Sequence, residues 1–159
     1  MIVNIYTDGS SKGNPGSGGY GVVLLYEGHR KEVSDGFRLT TNNRMELLAV
    51  IVGLEALKSF NKNIVIYSDS KYVVNAVEKR WLFSWEKNSF KKKKNKDLWL
   101  RFLKIYRKHS VRFVWIKGHS DVVENERCDF LAVRAAENKT LKIDEYYENS
   151  IKNDTSTLF

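Results

Sequence analysis

The 159-residue chain is 42% hydrophobic and 29% charged, with ten Gly and one Pro, a profile that fits one compact domain and excludes disorder or a collagen-like repeat. Its longest apolar run, 47–54, is far short of the roughly 20 residues of a membrane span; the opening Ile2-Val3-Asn4-Ile5 has no basic-then-apolar leader, and Cys128 alone makes neither an internal disulfide nor a thiolate zinc site, so a cytoplasmic location is expected. The net charge of +8 is concentrated: 12 of the 27 Lys and Arg, but only Glu86 and Asp97 among the acids, fall between Lys79 and Lys108, and a field localised in this way attracts a polyanion such as nucleic acid.

Along the chain, residues 2–7 are rich in β-branched side chains and read as a strand, 13–21 as turn-forming, and 20–26 and 31–40 as two further strands, giving an antiparallel meander. From 44 to 60, Leu47, Leu48, Ile51, Leu54 and Leu57 recur at helical spacing behind the cap candidates Thr41, Asn42 and Asn43. A short apolar strand at 64–67 leads into a helix over 71–79, and strand, helix, strand implies a parallel crossover. The basic segment reads as helical in pieces, with Leu98, Phe102, Leu103 and Tyr106 on its last helix. A fifth strand over 111–117 and a helix over 125–137, with Cys128, Leu131, Ala132 and Ala135 on its apolar face, complete a domain of residues 1–138. The polar tail, 139–159, is treated as separate; a disordered end is expected there rather than docking by Tyr146, Tyr147, Ile151 and Phe159.

Two patterns carry chemistry. The run Gly16-Ser17-Gly18-Gly19-Tyr20-Gly21 matches a dinucleotide fingerprint, but the fingerprint needs a helix to follow and Val22-Val23-Leu24-Leu25-Tyr26 is strand-like, so a hairpin turn is the reading. The acids are more telling. Asp8 closes the first strand, Asp69 the fourth, and Glu46 sits in the first turn of the intervening helix. If the first and fourth strands are parallel neighbours, Asp8 and Asp69 emerge side by side at the carboxyl edge, where Glu46 reaches them. Converging carboxylates repel and raise one another's pKa, so they are stably ionised together around hard divalent cations. Each acid also has an ordinary explanation: a turn residue at Asp8, a helix cap at Asp69, and a capping box in Asn43-x-x-Glu46. Pattern alone leaves the two readings level.

Four segments tip the balance: Tyr6-Thr7-Asp8-Gly9-Ser10, Thr40-Thr41-Asn42-Asn43-Arg44-Met45-Glu46-Leu47, Ser68-Asp69-Ser70-Lys71-Tyr72-Val73, and Lys117-Gly118-His119 through Glu124-Asn125-Glu126-Arg127-Cys128-Asp129. In this order they closely resemble type 1 ribonuclease H, the bacterial ribonuclease HI form, over residues 1 to about 138. The resemblance implies an α/β ribonuclease H-like fold with a five-stranded mixed sheet flanked by helices. It also implies endonucleolytic hydrolysis of the RNA strand of an RNA/DNA hybrid by a two-metal-ion mechanism, leaving 5′-phosphate and 3′-hydroxyl ends. The matching positions make Asp8, Glu46, Asp69 and Asp129 the metal-binding carboxylates, for two Mg²⁺ ions with Mn²⁺ as a substitute, and His119 a mobile catalytic histidine for proton handling or product release, a role suited to a group titrating near neutral pH. His29 and His109 lack that context.

The expected partner is the hybrid duplex, bound by a monomer without an obligatory protein partner or membrane contact. By the same resemblance Ser11, Asn14, Asn42 and Asn43 lie along the minor groove, where the 2′-hydroxyl marks RNA, and Thr41 with Asn42 holds a DNA-strand phosphate at a helix N-terminus. Residues 79–108 resemble the family's basic protrusion, with Trp81, Trp85, Lys87, Phe90, Lys91, Lys92, Lys93 and Lys94 facing the DNA. Lys71 is also counted among the nucleic-acid contacts, and it departs from the family in standing where many relatives have Gln that contacts a base edge; a second departure is a protrusion that is short between Phe90 and Trp99. A hybrid-binding module without activity, or a DNA-directed nuclease on the same fold, are the alternatives; the first would lack some carboxylates, and the Asn-rich positions and the basic segment count against the second.

Overall fold

The computed structural model describes residues 1–118 and 121–157. Five strands form one mixed sheet in the order β3-β2-β1-β4-β5: β1 (Ile2–Lys12), β2 (Gly16–Tyr26), β3 (His29–Thr40), β4 (Asn63–Ser68) and β5 (Ser110–Trp115). The first three make the expected antiparallel meander, and β4 and β5 add in parallel beside β1. The helices are α1 (Asn42–Glu55), α2 (Lys71–Glu78), α3 (Trp81–Lys87), α4 (Lys96–Tyr106), α5 (Val123–Ala136) and α6 (Glu145–Thr157).

The sheet is covered on both faces. Helix α1 packs over β1 and β2, where Gly53 lies against Ile5 and Val22, and it is buried on nearly every side because α4 covers it in turn. Trp99 and Phe102 of α4, both fully buried, meet ring edge to ring face at 5.7 Å within this core. The helix stops at Glu55, five residues before the expected end. The Ala56 N–H closes its last turn onto the Val52 carbonyl, and Asn61, at a φ of 60°, turns the chain towards β4, as short polar side chains permit in the left-handed region.

Helix α5 covers the other face, and its approach explains the glycine-rich run. The segment is not a turn: Gly16 to Gly21 belong to β2, which makes β1 run on to Lys12 and puts the reversal at 13–15. A side-chain carbon at Gly19 would strike the carbonyl of Ala132, and one at Gly21 the carbonyl of Cys128. Glycine is needed here for close contact between backbones.

The tail is neither separate nor disordered over the described residues. Lys142 pairs with β3, donating to the Gly36 carbonyl and accepting from the Arg38 N–H, both at 2.9 Å. Asp144 is buried and accepts from Thr40 Oγ1 at 2.8 Å and from Arg44 Nε at 2.7 Å. On α6, Glu148 is held by the Arg38 guanidinium. Arg44, 3% exposed, also donates two bonds to Asp97 at 2.8 and 2.7 Å, so one buried guanidinium ties α1, α4 and the tail together. Arg suits this position because its planar fork satisfies two carboxylates while remaining charged. Phe159 lies outside the described residues. No helix among those described is long and apolar enough to cross a membrane.

Candidate active site

The cleft opens where two strands part. The parallel register of β1 on β4 ends at Tyr6 opposite Tyr67, whose rings stack at 4.4 Å. Two residues further along each strand direction stand Asp8 and Asp69. Asp8 does not close its strand; it lies mid-way along β1, opposite Gly21 of β2, while β4 has already ended and the chain turns into α2. The N-cap of α2 is Ser70, whose hydroxyl accepts from the Val73 N–H, so Asp69 is not a capping residue. Nor is Glu46 part of a capping box or of the first turn. Thr41 caps α1 by accepting from the Arg44 N–H at 3.2 Å, which places Glu46 one turn deeper, over the sheet.

Asp8, Glu46 and Asp69 each offer a carboxylate oxygen within 4.8 Å of the others. The Gly9 N–H donates to both Asp8 Oδ1, at 2.9 Å, and Glu46 Oε1, at 3.1 Å. Glu46 comes this near because residue 9 has no side chain; a Cβ there would meet the α1 backbone at Glu46. Glu46 Oε2 is buried with no hydrogen-bond partner. Asp129, on α5 next to the fully buried Cys128, lines the same cleft of about 460 Å³ with Ser10, Asn42, Asn43, Ser70, Lys71 and Tyr72. It stands outside the tight trio, as a fourth acid on the wall.

Burial pushes the Asp8 carboxyl up to about 7, with the charges of Asp69 and Asp129 adding to the rise. Burial, and then the Asp8 charge, also carries Glu46 well above the usual carboxylate range. A buried oxygen without a donor, beside two more carboxylates, is costly unless a positive group joins it. An all-oxygen donor set of this kind fits a hard divalent cation.

The other expected residues divide. Asn42, Asn43 and Lys71 line the cleft. Thr41 and Asn14 lie beside them, the Asn14 side-chain oxygen accepting from the Asn42 N–H at 3.1 Å, and together they border a second cleft of about 520 Å³ that Lys93 and Lys94 also line. Ser11 is half-buried on β1 outside the carboxylate cleft. His119 lies outside the described residues. In the basic segment Trp81, Lys87 and 91–94 are exposed, with Lys79 over the Trp81 ring at 5.4 Å and Lys93 over Trp85 at 4.9 Å. Trp85 is half-buried and meets Trp99 edge-on.

Phe90 corrects the expectation for this segment. It is 4% exposed and part of the core, so its ring does not face a ligand. It anchors instead a loop in which Ser89, Phe90, Lys92 and Asn95 all take positive φ, a region uncommon for residues other than Gly and Asn and least favourable for a bulky ring.

Sequence reading missed three contributors: the Gly9 amide, Arg44, and Trp115, whose indole N–H donates to the Asp69 carbonyl at 3.1 Å. The first two sit inside quoted motifs, but a backbone donor and a buried cation have no spacing signature of their own.

The family model described as RNase H matches residues 1–137. A protein named Ribonuclease H from Desulforamulus reducens is 57% identical over 147 residues, covering 89% of this chain and 92% of that one. Its namesake from Rippkaea orientalis is 54% identical, covering 92% and 93%. Among solved structures, LC9-RNase H1, a type 1 RNase H with the type 2 active-site motif, superposes with a TM-score of 0.78 at 33% identity over 87% of this chain and 74% of its own. LC11-RNase H1 in complex with an RNA/DNA hybrid does so with a TM-score of 0.66 at 28% identity, over 85% and 96%.

Proposed function

The chain belongs to the ribonuclease H family, and from that membership we propose that it hydrolyses the RNA strand of RNA/DNA hybrids internally, leaving 5′-phosphate and 3′-hydroxyl ends. The observation that carries the reading is the meeting of Asp8, Glu46 and Asp69 oxygens within 4.8 Å around a buried, unpartnered Glu46 Oε2.

Asp8, Glu46, Asp69 and Asp129 would hold two Mg²⁺ ions in this reading, with Mn²⁺ able to replace them; bound there, the ions would supply activation of the attacking water and charge stabilisation at the leaving oxygen. The chain's own groups do the rest. The Gly9 amide fixes the orientation of Asp8 and Glu46. As water oxygen bonds to phosphorus, the bond from phosphorus to O3′ breaks, the water's proton passes to solvent and O3′ takes one up, with His119 serving proton handling or product release.

Residues 1–138 carry the catalytic and binding groups, with the tail packed onto them, and 79–108 meet the DNA strand through Trp81, Trp85, Lys87 and Lys91 to Lys94. Ser11, Asn14, Asn42 and Asn43 face the minor groove, and Thr41 with Asn42 takes a DNA phosphate; the neighbourhood of Thr41, Asn14 and Asn42 at the N-terminus of α1 supports that grouping. The chain acts as a cytoplasmic monomer in this reading.

The test is a cleavage assay on an RNA/DNA hybrid and on the equivalent RNA and DNA duplexes, with Mg²⁺ and with EDTA. Cleavage of the hybrid alone, dependent on Mg²⁺ and lost in Asp69→Asn with binding in EDTA retained, is expected. Equal cleavage of the DNA duplex, or full activity of Asp69→Asn, would overturn the proposal.

A further inference from the structure

Lys71 is the one cation among the described residues lining the carboxylate cleft. Its Nζ lies 5.0 Å from the centroid of the Trp115 ring, an arrangement in which the face of an indole attracts an ammonium while leaving N–H donors free to bind elsewhere. The ring itself is fixed at two points. Trp115 is the last residue of β5, in register with Ser68 at the end of β4, and its indole N–H donates to the carbonyl of Asp69 at 3.1 Å. The platform under Lys71 is therefore bonded to a residue of the carboxylate trio.

No requirement of the fold explains a cation at this position. Lys71 is the first residue of α2, where the helix dipole favours an acid and disfavours an ammonium; the side chain is exposed, and Ser70 already supplies the cap. A substrate entering the cleft, on the other hand, brings phosphate charge towards carboxylates that repel it. An ammonium on the rim, a compact point charge with three donors, suits a non-bridging phosphate oxygen better than a base edge.

We propose that Lys71 contacts a phosphate of the cleaved RNA strand next to the linkage held at the carboxylates, and that Trp115 is its positioning residue. The assignment rests on the hydrolase reading above and adds to it a substrate contact in place of the base-edge contact that Gln makes in many relatives. It couples the grip on the strand to Asp69 through one indole, with the ring face holding the ammonium and the ring N–H holding the carbonyl.

Steady-state cleavage of a hybrid in Mg²⁺ across a series of salt concentrations tests this, using the wild-type chain, Lys71→Gln, Lys71→Arg, Trp115→Phe and Trp115→Leu. Lys71→Gln should raise KM several-fold, leave kcat close to wild type, and flatten the slope of log kcat/KM against log salt by roughly 0.9, the increment for one phosphate contact on a duplex. Lys71→Arg and Trp115→Phe, which keep the charge and the ring, should keep the slope. Trp115→Leu should lose it as Lys71→Gln does, with folding monitored by thermal melting. Wild-type KM and salt slope in Lys71→Gln would overturn the phosphate contact, and a retained slope in Trp115→Leu would overturn the role of the ring. A wild-type chain that leaves the hybrid intact sinks the hydrolase reading itself, an outcome distinct from either.

Discussion

Replacing Asp8 with Asn should stabilise the metal-free protein at alkaline pH while abolishing hydrolysis. Burial and the nearby Asp69 and Asp129 raise the Asp8 carboxyl from 3.8 to about 7. The unfolded chain then ionises near pH 4 while the folded one keeps its proton until near pH 7. Between these values unfolding releases a proton, and stability falls as pH rises. At about 1.4 kcal/mol per unit the ceiling of this cost is ~4 kcal/mol above pH 7, and water entering the open cleft lowers it.

Asn at position 8 removes the charge yet keeps an oxygen to accept from the Gly9 N–H. At roughly 2–4 °C per kcal/mol for a chain of this size, Asp8→Asn in EDTA at pH 8 should melt about 5 °C or more above wild type. The gap should close near pH 4, and Mg²⁺ should narrow it at pH 8 by stabilising wild type selectively. Calorimetry at the two pH values, with and without Mg²⁺, measures all of this. A variant that melts at or below wild type at pH 8 in EDTA would show that the three carboxylates impose no such strain.

Other substitutions test the framework around the cleft. Arg44→Met should cost about 3–5 kcal/mol, because it leaves Asp97 and Asp144 without their shared cation; urea unfolding reads the loss. Gly21→Ala should destabilise by about 1–3 kcal/mol through collision with the Cys128 carbonyl, again by urea unfolding, with the cleft residues unchanged. Alanine at all four of Lys91 to Lys94, which are exposed, should weaken hybrid binding and flatten its salt dependence without lowering the melting temperature, as filter binding across salt concentrations and a thermal scan will report. Removal of residues 143–159 should destabilise rather than leave stability untouched, since it takes away the Asp144 carboxylate that Arg44 and Thr40 share.

How much was legible in advance differs from element to element. The strand and helix order followed from periodicity because each element buries one stripe or one face. That Asp8 stands beside Asp69 hung on the first and fourth strands being parallel neighbours, which the strand, helix, strand order left open and the pairing of β1 with β4 decided. The glycine run misled, since glycine serves turns and close backbone contacts alike and only the position of α5 distinguishes them. Phe90 misled for a related reason: an aromatic among lysines has the composition of a nucleic-acid surface, whereas its ring had been drawn into the core. The tail looked polar and weakly periodic because its attachment is ionic, through one buried Asp144 and a short strand pairing, rather than through an apolar stripe.

The linear order of residues determined by itself the succession of strands and helices and the place of the positive charge, since these depend on residue type and local spacing, while the sheet architecture and the choice of acids came from four segments that resemble a known family. Only the folded chain decided which carboxylate oxygens share a space, that Asp129 stands back from the other three, that Lys71 rests on Trp115, and that the C-terminal segment is tied to α1. Those are distances between residues tens of positions apart, and they arise from how the sheet, its two covering layers and one buried guanidinium settle against each other, a balance that no local pattern encodes.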